Sequence, residues 1–148
     1  MDDQEFRQKI TDFVQKYSID GWELKETAYG VYALNARRML NLELNESAVI
    51  ANYYIDLDQV FKVPVFSATF FTESGHQLTY SEMLSILPEK IEEGSISERE
   101  HDLTGLPVFY IHPCKTHEFV QPFVADGADY LHVWLVKYGS ILLYRLPF

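Results

Sequence analysis

A chain of 148 residues with 47% apolar and 15% aromatic side chains is too rich in core-forming residues to stay disordered, and its length predicts one domain spanning 1–148. Its 22 acidic and 12 basic residues leave a net charge of -10, which repels phosphate backbones and anionic lipid, so nucleic acid and stable membrane insertion are both disfavoured. No apolar run approaches the roughly 20 residues that cross a bilayer, "MDDQEFRQK" does not read as a signal peptide, and a lone cysteine forms no internal disulfide, so a soluble cytoplasmic protein is expected.

In chain order, Phe6, Ile10, Phe13, Val14 and Tyr17 line one side of an amphipathic helix with Asp2 or Asp3 as its cap. After Gly21 the pattern turns to strands in "WELKETAYGVYAL", "MLNLELN", "AVIANYYIDL" and "VPVFSATFF". Leu40, Leu42 and Leu44 alternate with polar residues, as do Val49, Ala51, Tyr53, Ile55 and Leu57, which predicts one buried sheet face. Short spacers favour an antiparallel meander, and Pro64 marks a strand start, bulge or edge. Thr79 and Glu82 form a capping box ahead of Met83, Leu84, Ile86 and Leu87, with Pro88 stopping the helix. Residues 89–106 read as a charged, solvated loop. "PVFYIH" reads as an extended segment delivering Cys114. Leu131, Trp134, Leu135 and Tyr138 then mark a last helix, capped by Asp129 and ended at Gly139, before the apolar tail "SILLYRLPF". The fold class is therefore α+β, an antiparallel sheet flanked by helices.

Three chemistries compete for Cys114 in "YIHPCKTHEF". A lone cysteine serves often as a small buried hydrophobe. Here, however, the neighbours are polar, Pro113 imposes an irregular backbone, and cationic residues beside a thiol favour the nucleophilic thiolate. His112, Cys114 and His117 also read H-x-C-x-x-H, but a structural zinc site takes four ligands, and His76, His101 and His132 lack a metal-site spacing. A Cys-His hydrolase needs an imidazole reaching the sulfur, which neighbours on an extended chain do not obviously supply.

The run His112-Pro113-Cys114-Lys115-Thr116, the strand "QVFKVPVFSATFF", the following "LTYSEML", Phe119, and the pair Trp134-Leu135 resemble the autophagy-related protein 10 family of ubiquitin-like-conjugating enzymes, over Val49 to Tyr138. The resemblance implies a ubiquitin-conjugating-like core. It implies that Cys114 accepts autophagy-related protein 12 as a thioester from the activating enzyme, autophagy-related protein 7, and passes it to a lysine of autophagy-related protein 5. It implies no metal or small cofactor. Ordinary ubiquitin-conjugating enzymes carry a His-Pro-Asn motif upstream of the cysteine; here His112-Pro113 abuts Cys114, so the oxyanion needs another donor. Asn52 and Tyr54, on the strand face opposite Tyr53, are the candidates, with Tyr54 preferred for its hydroxyl and an ordinary packing role as its alternative. His112 is expected to brace the cysteine turn, while Lys115, Thr116 and His117 tune the thiol or shape the loop.

Two alternatives accompany this reading. The autophagy-related protein 3 family shares the His-Pro-Cys run but is longer and begins with a basic amphipathic helix, whereas this first helix carries Asp2, Asp3, Glu5 and Asp12. A non-catalytic binding module would keep the fold with a structural cysteine. For partner docking, an exposed strand edge within 22–44 is expected, where "TAYGVYALNARRML" combines Val31, Tyr32 and the basic pair Arg37-Arg38.

Overall fold

The computed structural model describes residues 1–87, 95–125 and 129–146, except for the side chains of Lys115, His117 and Val124. Helix α1 (Asp3–Lys16) is capped by Asp2, whose carboxylate accepts from the Glu5 N–H at 2.8 Å, and it buries Phe6, Ile10 and Phe13. An acidic cap satisfies an orphan N–H and opposes the positive end of the helix dipole.

Four strands follow as the expected antiparallel meander: β1 (Trp22–Thr27), β2 (Gly30–Leu44), β3 (Ser47–Leu57) and β4 (Pro64–Thr72). Strand β2 runs unbroken through what the sequence splits into two segments. A register shift between Asn35 and Arg38 absorbs the interruption, with Arg37 at φ 54° and its N–H donated to Asn52 Oδ1 at 2.7 Å. Pro64 begins β4, where a missing N–H costs the ladder least. Helix α2 (Tyr80–Ile86) starts on the reciprocal Thr79–Glu82 capping box.

The inner sheet face, Ala51, Tyr53 and Ile55 with Phe66, Ala68 and Phe70, forms one core with α1, Met83 of α2 and Leu131, Trp134 and Leu135 of helix α4 (Tyr130–Gly139). The tail is tied into it: Tyr53 donates to Leu142 O at 2.8 Å, and Trp22 Nε1 donates to the Tyr144 hydroxyl at 2.8 Å. That hydroxyl in turn donates to Asp20, which also holds Arg38 at 3.1 Å.

The structure departs from the sequence reading in four places. Of the loop expected at 89–106, residues 89–94 lie outside the described residues, as does Pro88, but Ile96–Glu100 is a strand, β5, paired along its length with β6 (Pro107–Ile111). The sheet order is β1-β2-β3-β4-β6-β5. Only Ser67–Tyr110 and Ala68–Phe109 join β4 to β6, and the hairpin tip lies over the outer face of β2 and β3. There the His101 ring packs at 5.1 Å from Tyr54 and 5.5 Å from Tyr32, with Nε2 3.3 Å from Asp56 Oδ1. Both sheet faces are therefore buried along the C-terminal half of β3.

Second, a helix absent from the sequence reading, α3 (Thr116–Ala125), follows Cys114 and contains Pro122 in its interior. Third, α4 ends at Gly139 as read, but not through a left-handed glycine: Gly139 is itself right-handed, φ -60°, and the chain runs on into a 3-10 turn, Ser140–Leu142. A Cβ there would stand 3.1 Å from Leu135 Cδ1 and 3.2 Å from the Tyr144 carbonyl, so its role is close packing, and the left-handed reversal falls at Leu143, φ 68°. Fourth, the strand edge within 22–44 belongs to β1, whereas Val31 and Tyr32 lie on β2, against β1. Arg38 is bound to Asp20 and lies over the Tyr144 ring at 4.9 Å, so it is a structural residue as well as a basic one.

Candidate active site

Strand β6 drives Val108, Phe109 and Ile111 into the protein and releases the chain at His112. Pro113 then opens a 3-10 turn, Pro113–Lys115, at a position where its ring presets φ and its missing N–H costs nothing. Cys114 is exposed on that turn, which rules out the buried-hydrophobe reading. Helix α3 begins two residues later, so its positive end lies close to Cys114.

The Cys114 N–H donates to His112 Nδ1 at 3.3 Å. Accepting at Nδ1 places the proton of the neutral imidazole on Nε2. His112 thus holds the cysteine turn through its side chain, and the Cys114 amide is occupied. The His112 ring meets the edge of Phe61 at 5.8 Å. Phe61 and Val60 are 46% and 83% exposed on the β3–β4 turn, which Asp58 fixes by accepting from their N–H groups at 2.8 and 3.1 Å. A rigid, apolar, solvent-facing turn therefore adjoins the thiol through His112.

On the other side, Thr116 is buried and its N–H donates to Pro113 O. Helix α3 packs on α4, with the Phe119 and Tyr138 rings edge to face at 6.1 Å. Burial holds the Tyr138 hydroxyl above its ordinary pKa, the Thr116 hydroxyl pulls it the other way by hydrogen bonding, and the charge of Cys114 raises it further. Tyr130 feels the Tyr138 charge as well, and burial pushes it up to about 12.

The structure brings Cys114 and His112 together but puts Tyr54 under the β5–β6 tip. Tyr54 is 4% exposed, packed on Tyr32 and His101, with its hydroxyl beside Thr69 and Asn52 and its pKa raised by burial. The Asn52 side-chain carbonyl accepts from the Arg37 N–H. The histidines considered as metal ligands are engaged elsewhere: His76 with Glu82, His101 with the Leu103 and Thr104 N–H groups and His132 with Tyr17, while the His117 side chain lies outside the described residues. Among the described residues no three His, Cys, Asp or Glu side chains converge on a metal-sized site. Tyr138, which the sequence reading placed only in the apolar stripe of α4, lies on the helix that packs against α3.

The family described as autophagocytosis associated protein, active-site domain, matches residues 5–147. The chain belongs to that family. Two similar proteins sharpen the placement. The human protein named ubiquitin-like-conjugating enzyme ATG10 is 29% identical over 110 residues, covering 64% of this chain and 49% of that one. The protein of the same name from Gibberella zeae is 40% identical over 54 residues, covering 36% of this chain and 23% of that one. The chain thus spans about half or less of the length of these relatives. Both carry the autophagy-related 10 name, in agreement with the family that the His-Pro-Cys run and the V-P-V strand resemble. Among the described residues no helix is long and apolar enough to cross a membrane.

Proposed function

We propose that this protein is a cytoplasmic ubiquitin-like-conjugating enzyme of autophagy that carries its modifier as a thioester on Cys114. The observation that carries the reading is the exposed thiol on a turn braced by His112, at the positive end of α3, in a chain of the autophagocytosis-associated active-site family. The modifier is autophagy-related protein 12, the donor autophagy-related protein 7, and the acceptor a lysine of autophagy-related protein 5. In the first step the Cys114 thiolate attacks the donor's thioester carbonyl, forming a new carbon–sulfur bond and expelling the donor thiolate. In the second, the neutral lysine amine attacks the same carbonyl, an amide forms, the Cys114 thiolate leaves, and the amine proton passes to water. Neither step uses a bound metal or cofactor.

Tyr54 enters as the group that orients the lysine or donates to the oxyanion. At 4% exposure it reaches an incoming acyl group only when the hairpin tip 101–106 lifts, so this assignment carries a conformational requirement. Tyr54→Phe is expected to charge normally and discharge about 10-fold to 1000-fold more slowly in a single-turnover chase. Equal discharge rates would remove Tyr54 from the site.

The decisive experiment incubates the protein with activating enzyme, ATP and modifier, followed by non-reducing electrophoresis. A reductant-sensitive adduct is expected with wild type, and a reductant-resistant ester that fails to transfer with Cys114→Ser. Transfer by the serine variant at the wild-type rate would show that Cys114 is not the acyl carrier.

A further inference from the structure

The hydrogen bond from the Cys114 N–H to His112 Nδ1, 3.3 Å long, holds the cysteine turn only while the imidazole keeps one rotamer and leaves Nδ1 without a proton. The His112 backbone is fixed, since its N–H donates to Ser95 O at 3.2 Å. The ring is not fixed by burial, because His112 is an exposed residue. A solvent-facing side chain samples its other staggered wells unless a neighbour bars them, so something has to keep this one turned to the Cys114 amide.

Phe61 is the aromatic side chain that it meets. The two rings stand edge to face, with centroids 5.8 Å apart and planes at 68°, an arrangement that aromatic pairs prefer. Phe61 can act as a wall because its own backbone is held. Asp58, 8% exposed, accepts from the Phe61 N–H at 2.8 Å and from the Val60 N–H at 3.1 Å through one carboxylate oxygen. The turn also closes on that residue: the Asp58 N–H donates to Val63 O at 2.8 Å, and its carbonyl accepts from the Lys62 N–H at 2.9 Å. The second carboxylate oxygen faces Arg99 Nη1 of β5 at 3.9 Å, and that guanidinium lies over the Tyr110 ring of β6 at 4.3 Å. The turn is thus rooted in the same hairpin that delivers His112. Phe61 itself is 46% exposed and takes no part in the hydrophobic core, so the contact it makes is with the site.

We propose that Phe61, held by Asp58, is a positioning residue that keeps the His112 ring turned to the Cys114 amide and so fixes the turn that carries the thiol. Its bearing on thioester chemistry rests on the reading of Cys114 as acyl carrier, but its first consequence is measured in the protein alone.

Phe61→Ala removes the wall at a partly exposed position. It is expected to speed hydrogen exchange at the Cys114 amide by about 2-fold to 10-fold, the effect of losing one aromatic pair, and to move the His112 Nδ1 resonance towards that of a free imidazole in a proton–nitrogen spectrum. Phe61→Tyr keeps the ring edge and is expected to restore both. Asp58→Ala is expected to move both readouts in the same direction with Phe61 present, and to add little to Phe61→Ala, because the two act through one contact. A lower melting temperature for Phe61→Ala with the Cys114 amide and the His112 resonance unchanged would make Phe61 a packing residue and overturn the proposal. Changes that Phe61→Tyr does not restore would overturn it as well, since they would not depend on the ring.

Charging of Cys114 by the activating enzyme is expected to slow by a similar factor in Phe61→Ala, in proportion to the loss of the held turn. Charging at the wild-type rate beside altered spectra would overturn the part of Phe61 in the chemistry. Altered spectra in a protein whose wild type accepts no modifier would keep the positioning of the turn and reject the conjugating function.

Discussion

Tyr53 and Tyr54 are neighbours on β3 and both are buried, yet they are buried by different means. Tyr53 points inward among Phe66, Phe70 and Tyr144 and ends on the Leu142 carbonyl. Its surroundings are those the alternating pattern announces. Tyr54 points outward, where the pattern anticipates solvent, and meets Tyr32, His101, Asn52 and Thr69 beneath the β5–β6 tip. The inner face is closed by apolar area, which is additive and tolerant. The outer face is closed by a hairpin that pairs with β4 through two residues and rests on polar groups, which hold only while every partner stays in place.

The largest effect expected from that contrast is on the inner face. Phe66→Ala removes a ring stacked on Tyr53 at 5.3 Å and should cost about 3–5 kcal/mol in urea unfolding. A loss below about 1 kcal/mol would mean that the core collapses around the gap and is less closely packed than its contacts indicate.

His101→Ala should cost less, about 1–3 kcal/mol, and locally. Its Nδ1 accepts from the N–H groups of Leu103 and Thr104 at 3.3 and 3.2 Å, so both lose their acceptor. Hydrogen exchange should quicken at those two amides and leave β3 and β4 protected. Loss of protection across the whole sheet would make the hairpin part of one cooperative unit, erasing the distinction between the faces. Faster discharge of the thioester in this variant, together with a slow Tyr54→Phe, would tie tip opening to Tyr54's proposed part.

The buried tyrosines give a pH test. Burial raises the pKa of Tyr53, Tyr54 and Tyr144 above the ordinary value of about 10 and that of Tyr130 to about 12. A raised folded-state pKa means that the unfolded chain releases protons first, so stability is intact below pH 10 and falls as pH rises through the folded values. Absorbance at 295 nm should include a late stage in which the buried set ionises together with unfolding. A single stage near pH 10 would show that the hairpin and the core both admit hydroxide before the fold is lost.

The smallest effect lies at α2, outside both faces. The Glu82 carboxylate is held below the usual range by the Thr79 N–H and then by His76. A depressed carboxylate stabilises above its unfolded pKa and ceases to as pH falls through the folded one. Glu82→Gln should therefore lower the melting temperature slightly at neutral pH, and the difference should vanish in acid. A difference that persists in acid would assign the effect to shape rather than charge.

Where local physics decides structure, the sequence was readable. The Asp2 cap, the Thr79–Glu82 box, the alternation of β3 and the start of β4 at Pro64 each follow from a residue and its near neighbours. What escaped depends on contacts between distant segments. "ISERE" is too polar to announce a strand; it becomes one because β6 is there to pair with it. Helix α3 carries Pro122 in its interior, a residue that argues against helix unless packing on α4 compensates. The pairing of Cys114 with His112 was legible because the turn that joins them is local. The Phe119–Tyr138 contact was not, since its members lie on separate helices.

The solitary thiol has a consequence for oxidative stress. An exposed thiolate is the form that peroxide converts to sulfenic acid, and that product is usually rescued by a second cysteine nearby. This chain offers none. Repair of Cys114 therefore has to come from outside, from glutathione or another protein's thiol, and without it the sulfur advances to sulfinic acid, which does not return. Oxidation of Cys114 is thus reversible or permanent according to the thiol supply of its surroundings, a dependence that two residues in a disulfide would not share.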